Sequence, residues 1–462
     1  WKLPRTTNPI IITIIIMSAR APFAIMLPIL VVLLCSPGVH CAYCNGKPSP
    51  DAQPNKNPIQ TSQPVFVRKV LNASLYQAGE GEDSISVVHL WGNPYQKGFA
   101  HGTLMKDKMN EFYPRTFAFF ESQFVETINQ TVPWIPKSAA DWVARVGLDV
   151  ALDLTFDLMF PFIPKHFTEE MKGIADATGV DYKMIRRIHM IGELTQGHCS
   201  MFGAWGNATV GGHVLQLRAL DWDITGPFQD FPQVTIYHEE EGSNSNSFAN
   251  VGWTGWIGSI SGMSSAATAI SEIGVTFPDS SFGKQSRIGV PFVFLLRDIL
   301  NFEKSLPSIR ERVTSARRTC DLILGFGDGK IKAEDNEAPF NSVQYSHSVA
   351  NFMDDKNLKP VNDSWHRRIP NVVYHGMDWL CPGYSVVLQN KLEEHRTSLT
   401  PELVINDVIS IVQTGDLHAV VYDLTEMTMY VANARGSQET GPQKAYDRTF
   451  TRFNMTELFE LS

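Results

Sequence analysis

Cys199 stands in the run Gln196-Gly197-His198-Cys199-Ser200, and Arg218 and Asp221 follow it 19 and 22 residues later in Leu217-Arg218-Ala219-Leu220-Asp221-Trp222-Asp223. A thiol is the most nucleophilic ordinary side chain, but with a pKa of about 8.5 it needs a neighbour to accept its proton. Cutting the peptide bond before Cys199 would create that neighbour on the same residue, an α-amine with a pKa of about 8 held beside the sulfur by covalent geometry. Gly197 is expected to admit the strained backbone in which the sulfur attacks its own preceding carbonyl, an N-to-S acyl shift. Taken singly, a cysteine is a small buried hydrophobe and Arg-x-x-Asp a structural ion pair. Their joint spacing points to chemistry. Cys199–Trp205 and His213–Trp222 read as strands joined through the glycine-containing Gly206–Gly212, so Arg218 and Asp221 return beside Cys199. Arg218 would then address the sulfur or a substrate carbonyl, and Asp221 the α-ammonium through a charge-assisted hydrogen bond, with Asp223 supporting it from the same strand face.

The elements around this hairpin change character at Cys199. Residues 1–42 are read as a secretory signal peptide starting at Met17, with extra residues upstream: Arg20 precedes an apolar run from Ala21 to Cys35, and cleavage is expected between Gly38 and Ala42. The competing reading is a membrane anchor, since Ile10–Ile16 is also apolar. Residues 43–64, rich in Pro, Asn, Gln and Lys, read as a flexible leader. Residues 65–198 are expected to be mainly helical, with one long helix over Gly98–Val125 and an unusually apolar one over Ala139–Phe162. That second segment is either a core helix or a greasy surface that meets a lipid. From Cys199 to residue 462 strands dominate, with helices expected at Pro291–Phe302, Leu306–Arg318 and Pro401–Gln413. Helices outside two layers of antiparallel strands make an α+β sandwich.

Composition narrows the partners. The chain carries 39 basic against 48 acidic residues, a net charge of −9, and Lys2, Arg5 and Arg20 leave the part beyond the signal still more acidic. Nucleic acid is excluded as a partner, because phosphate neutralisation needs a basic surface. Five Asn-x-Ser/Thr sequons, at Asn72, Asn129, Asn207, Asn362 and Asn454, are expected to be glycosylated in an exported chain. Six cysteines are too few for a disulfide scaffold, so about 420 residues must supply a packed core. One pairing the count allows is Cys320 with Cys381, leaving Cys44 free. The histidines His198, His213, His238 and His347 are scattered singly, no metal motif occurs, and no cofactor is expected.

Cys199-Ser200 followed by Arg218-Ala219-Leu220-Asp221 resembles the acid ceramidase, N-acylethanolamine acid amidase and penicillin acyltransferase superfamily, whose pattern is Cys-Thr/Ser, a hairpin, then Arg-Asn-x-Asp. Phe202–Gly206, Gly252–Ser259 and Val373–Tyr384 are similar to acid-ceramidase-like secreted proteins. The resemblance runs from about Val65 to the end. It implies a four-layer αββα sandwich of the N-terminal-nucleophile (Ntn) hydrolase type, autoproteolysis before Cys199 into two fragments that stay associated, and hydrolysis or transfer of an amide-linked acyl group. An N-acyl lipid such as a ceramide or an N-acylethanolamine, membrane-surface contact, and a lysosomal or secreted location are the corresponding expectations. Ala219 replaces the family's Asn. For the oxyanion donor, usually in a Thr-Asn-Tyr-Asp run, Ala350-Asn351-Phe352-Met353-Asp354 is the nearest match, so Asn351 is expected to stabilise the tetrahedral oxyanion. The family's second arginine is left open between Arg367 and Arg368.

Three rivals remain. A papain-like thiol protease would use Cys199 and His347, 148 residues apart, but lacks the Cys-Gly-Ser/Ala-Cys-Trp run. A phospholipase B-like lysosomal Ntn hydrolase shares the Gly-His-Cys-Ser junction but carries an Asn-Thr-Trp-like end where this chain has Arg218 to Asp221. From another class, a non-catalytic secreted glycoprotein would bind lipid through its Trp and Phe clusters.

Overall fold

The fully buried run Ile-Ser-Val-Val-His-Leu at 85–90 is rich in β-branched residues and reads as an interior strand, and it lies well before the expected strand-rich half. In the computed structural model, which describes residues 44–131, 137–194, 197–240, 242–275, 278–332, 337–378, 381–435 and 442–461 of one uncut chain, it is the third of three opening strands. These are β1 (Val65–Val70), β2 (Ala73–Ala78) and β3 (Ile85–Leu90). Six helices follow: α1 (Pro94–Leu104), α2 (Lys106–Thr131), α3 (Lys137–Met159), α4 (Lys165–Thr178), α5 (Tyr182–Ile188) and α6 (Ile191–Leu194). The one helix expected from Gly98 to Val125 is thus two, parted at Met105. The signal segment, residues 1–42, lies outside the described residues.

The hairpin of β4 (His198–Gly206) and β5 (Gly212–Asp221) leads into β6 (Pro232–Tyr237), β7 (Phe248–Trp253), β8 (Gly262–Ser264) and β9 (Thr268–Gly274). After α7 (Phe292–Phe302) and α8 (Leu306–Ser315) come β10 (Leu322–Asp328), β11 (Phe340–Tyr345), β12 (Ala350–Met353) and β13 (Val372–His375). Then α9 (Pro382–Glu394) and a helical run over 401–412, whose middle Val404–Ile409 is a π-helix, precede β14 (His418–Asp423), β15 (Thr428–Asn433) and β16 (Thr451–Asn454).

These strands form two sheets. One has ten strands in the order β1-β2-β3-β6-β7-β8-β9-β10-β11-β12, the other six in the order β13-β4-β5-β14-β15-β16. The fold is therefore α+β. The sheets meet face to face at β4, β5, β9 and β10: Gln216 Nε2 donates to Ser271 Oγ at 2.8 Å, and a Cβ on Gly203 would fall 2.0 Å from the Phe340 ring. α7 and α8 pack on the ten-stranded sheet. α9 and the 401–412 run share an apolar cluster with the six-stranded one, through Leu388, Leu392, Val404, Phe202, Leu217 and Val421.

Three expectations about the first fragment change. It opens with three strands between Val65 and Leu90, and β3 runs parallel to β6, Ser86 opposite Gln233 through Leu90 opposite Tyr237, so they belong to a sheet built mostly from the later half. The segment 44–64, expected to be flexible, is fixed: Asn55 is buried, its Nδ2 donates to Tyr446 O at 2.9 Å and Arg448 O at 2.8 Å, and Gln60 bridges Thr451. Polar side chains there are spent on satisfying backbone groups of the later half. Finally, Cys44 pairs with Cys381, Cα atoms 5.3 Å apart, while Cys320 is free and buried. Asn207 and Asn362 are exposed and Asn72 and Asn454 half-buried; the Asn129 side chain lies outside the described residues. Among the described residues no helix is long and apolar enough to cross a membrane.

A chain cut before Cys199 is then held by shared sheet hydrogen bonds and by one covalent link. Cut protein should run as a single species on a non-reducing denaturing gel and as two after reduction, and Cys381→Ser should give two without reductant.

Candidate functional site

Alternation decides which way each residue of the hairpin faces. Cys199 lies opposite Leu220 and Met201 opposite Arg218, so the Cys199 and Arg218 side chains share the face that meets the ten-stranded sheet. Asp221, three residues beyond Arg218, falls on the other face at the strand end, where its backbone pairs with His198. The Arg-x-x-Asp spacing thus directs the arginine toward the side of the sulfur and the carboxylate toward the main chain at the junction.

Arg218 is fully buried, and its partners come from elements that its sequence neighbourhood did not announce. Nη2 donates to Glu272 Oε2 on β9 at 3.0 Å, crossing from one sheet to the other, and Nη1 donates to His418 Nε2 on β14 at 3.2 Å. Ser261 Oγ also lies 2.9 Å from that nitrogen. Burial and the neighbouring Arg218 push the His418 pKa well down, which keeps the imidazole neutral and an acceptor. Burial pushes Glu272 up, opposed by Arg218. Glu272, His418 and Ser261 were missed because the only signal for them is spatial: Glu272 lies 54 residues beyond Arg218.

Cys199 is 1 % exposed and lines a cavity of about 90 Å³ together with Arg218 and Glu272. The rest of the wall is aromatic: Phe120 from α2, then Trp222, Phe228, Trp253, Trp256 and Phe292. Three buried donors on this wall have no acceptor among the described residues, Arg218 Nε, Trp222 Nε1 and Trp256 Nε1. A dry pocket that offers donors is complementary to an acceptor such as a carbonyl oxygen. Burial pushes the Cys199 thiol up to about 12; Arg218 pulls it back, while Glu272 and Asp221 push it higher.

Asp221 Oδ1 accepts from the backbone N–H groups of Gly415 at 2.6 Å and Asp416 at 3.2 Å, and Oδ2 accepts from Thr414 Oγ1 at 3.0 Å; Thr414 Oγ1 also reaches Ser200 Oγ at 2.8 Å. Burial and then the Asp416 carboxylate raise its pKa, against those hydrogen bonds, while Lys444 Nζ, 3.1 Å from Asp416 Oδ1, neutralises part of the pair. Gly197 is needed for a different reason than expected. Its φ lies outside the left-handed region, but a Cβ there would meet the Trp222 ring at 2.9 Å, so the indole lies directly on the residue before the junction.

Other expected residues lie elsewhere. Asn351 is exposed on β12, the edge strand of the ten-stranded sheet, with Nδ2 on Gln344 Oε1 at 2.9 Å; three strands separate it from β8, and it is not part of the cavity wall. It does not serve Cys199. Asp223 is exposed and caps its own turn, Oδ1 accepting from Thr225 N at 2.7 Å, rather than supporting Asp221. Arg367 pairs with Glu393 at the surface, and Arg368 is exposed. His347 Nδ1 lies 3.0 Å from Arg318 O, and His347 is absent from the cavity wall, which removes the papain-like arrangement.

An α+β chain with a cysteine at the head of a buried strand, opening on an aromatic cavity across from a buried Arg–Glu pair, is what fold and site define. It is 32 % identical to protein dcd1A of Dictyostelium discoideum over 420 residues, covering 88 % of this chain and 92 % of that one, and 32 % identical to dcd1B of the same organism over 419 residues, 87 % and 80 %. The chain belongs to this dcd1 family. No family model matches it. Among solved structures it is similar to a Caenorhabditis elegans N-acylethanolamine-hydrolyzing acid amidase ortholog, TM-score 0.37 at 14 % identity over 49 % of this chain and 93 % of that one. It is also similar to penicillin V acylase from Agrobacterium tumefaciens, TM-score 0.35 at 14 % identity over 56 % and 87 %. Likeness at that level is too slight to carry fold or function.

A carboxyl whose folded pKa lies above its unfolded value near 3.8 stabilises the fold at low pH and loses that contribution as pH rises through the folded value, about 7 for Asp221. Uncut protein carrying Cys199→Ala should therefore lose a few degrees of melting temperature between about pH 4 and pH 7. Adding Asp221→Asn should flatten that loss; an unchanged slope would show that Asp221 is ionised throughout.

Proposed function

We propose that this chain is a self-cleaving cysteine amidohydrolase of the Ntn type, with the αββα layering of that class, and that it acts on an amide whose acyl part is apolar. The observation that carries the reading is the cavity in which Cys199 meets aromatic walls and donors without acceptors. Maturation begins when the Cys199 sulfur attacks the His198 carbonyl carbon and the His198–Cys199 C–N bond breaks, leaving a thioester and a free amine on Cys199. Water then hydrolyses the thioester, giving a His198 carboxylate and a thiol. In turnover the new α-amine takes the thiol proton, the sulfur attacks the substrate carbonyl, and the ammonium returns the proton to the departing amine. Water, or another amine, releases the acyl group.

Each neighbour has a role in that scheme. Asp221, at the junction's main chain, holds the α-ammonium. Arg218 Nε and the Trp256 and Trp222 indole N–H groups, donors without an acceptor among the described residues of this wall, take the oxyanion role first given to Asn351. At about 90 Å³ the cavity of the uncut chain is far below the roughly 300–1,000 Å³ of ligand sites, so the Gly197 segment that lines it must give way before a long acyl chain enters. A lipid substrate is supported by the outer face of α3, where Trp142, Val150, Leu154 and Leu158, with Phe160 beyond, are exposed. The Cys44–Cys381 bond suits an oxidising lumen, hence export to a lysosome or the outside.

Intact-mass measurement after incubation at acid pH should give two fragments from wild type, the second beginning at Cys199, and one uncut mass from Cys199→Ala. If wild type also stays whole, the enzyme reading fails and a non-catalytic lipid-binding glycoprotein takes its place. Separately, Leu154→Glu with Leu158→Glu should weaken sedimentation with phosphatidylcholine vesicles at least about tenfold, since each buried leucine is worth roughly 1.5–3 kcal/mol.

A further inference from the structure

A second buried polar cluster lies at the edge of the six-stranded sheet, on the strand that pairs with the Cys199 strand. His375, the last residue of β13, sits opposite Met201, and with His366 and Asp378 it forms a group whose side chains are all closed to solvent. Nothing in the proposed acyl chemistry uses it. We propose that His366, His375 and Asp378 bind a divalent transition metal, zinc being the ion that suits two imidazoles and one carboxylate.

Distance separates this from a hydrogen-bonded triad. His366 Nε2 lies 3.6 Å from Asp378 Oδ1, and His375 Nδ1 lies 3.6 Å from Asp378 Oδ2. Both separations exceed the roughly 2.7–3.2 Å of a hydrogen bond. They are close to the edge of a tetrahedron built on metal–ligand lengths of about 2.0–2.1 Å, which is about 3.4 Å. One donor atom from each residue lies within 4.8 Å of the others, so a small contraction closes the set.

The surroundings orient the ligands as an outer shell does. Ser342 Oγ engages His375 Nε2 at 2.9 Å, which turns Nδ1 toward the carboxylate. Gly376 N donates to Asp378 Oδ2 at 3.2 Å, and the Tyr374 ring stacks on His366 at 4.4 Å. His366 Nε2 lies at hydrogen-bond distance, 3.1 Å, from the Tyr374 carbonyl oxygen, a contact that an ion at Nε2 would replace. Asp378 Oδ1 and His366 Nδ1 are buried with no hydrogen-bond partner, and the ion partners of Asp378 among the described residues are these two imidazoles, with no Lys or Arg. Among the described residues Glu394, His395 and Asp407 are the other grouping of this kind, but Lys391 Nζ lies 2.8 Å from Asp407 Oδ2 and already supplies its positive charge.

Bound there, the ion would tie the segment at His366 to the end of β13 and to Asp378 beyond it, with the Cys44–Cys381 bond three residues after Asp378 as a second tie. Elemental analysis of the purified full chain, dialysed against metal-free buffer, should find about one zinc per chain. Asp378→Asn, close in shape to the original, should lose it while keeping the far-ultraviolet spectrum of wild type. Zinc added to metal-stripped wild type should raise the melting temperature by several degrees and leave Asp378→Asn unmoved. The proposal is overturned if wild type carries below about 0.1 zinc per chain and zinc does not shift its melting. It is equally overturned if zinc persists in Asp378→Asn and disappears in His395→Ala. None of these readouts depends on self-cleavage or amidase activity.

Discussion

The contact on which the site depends is the ion pair that Arg218 makes with Glu272 between the two sheets. Burying a guanidinium costs several kcal/mol unless it is paired, and removing one partner of such a pair typically costs about 3–5 kcal/mol. The sheets must therefore be fixed in distance and register where β5 crosses β9. Gly203 against the Phe340 ring and Gly325 beneath Met201 let them approach that closely, because any Cβ at either glycine would overlap its neighbour.

The hairpin from Cys199 to Asp221 was legible because a period of two and a glycine-bearing turn are local properties. Pro401 after Thr400 likewise marked a helix start, and Thr400 Oγ1 accepts from Leu403 N at 3.2 Å. Asn351 was misplaced because a short motif carries no information on strand order: Ala350–Met353 is a strand, as an Asn-bearing apolar run suggests, but an edge strand. Residues 44–64 read as flexible because composition counts polar side chains without counting the backbone groups they will satisfy some 390 residues away. The opening strands went unread for a related reason. β3 pairs in parallel with β6 across more than 140 residues, and that pairing, which joins the opening strands to the later sheet, cannot be read from either segment alone.

At Gly197 the structure adds a steric reason to the expected backbone one. Backbone freedom suggested Gly197, whereas the Trp222 ring excludes any larger residue there. Trp222 follows Asp221, so the indole that covers the segment before the junction and the carboxylate that would hold the new amine are neighbours on one strand end. That indole also forms part of the cavity wall.

Arg218 was expected to act on the sulfur as a positive charge, yet in the uncut chain the thiol is pushed up to about 12. The reason is first that burial penalises the thiolate; Arg218 opposes this, and Glu272, paired with the guanidinium, and Asp221 push the thiol back up. Arg218 is thus better understood as a rigid donor than as a free cation: Nη1 and Nη2 are committed to His418 and Glu272, and Nε is left without an acceptor. In the proposed chemistry such an N–H, held by its committed neighbours, would be preorganised toward an oxyanion. Under the proposed chemistry the base for turnover is absent from the uncut chain and comes into being with the cut, so the precursor is limited to the attack of Cys199 on its own preceding carbonyl, and amide turnover waits for the new amine.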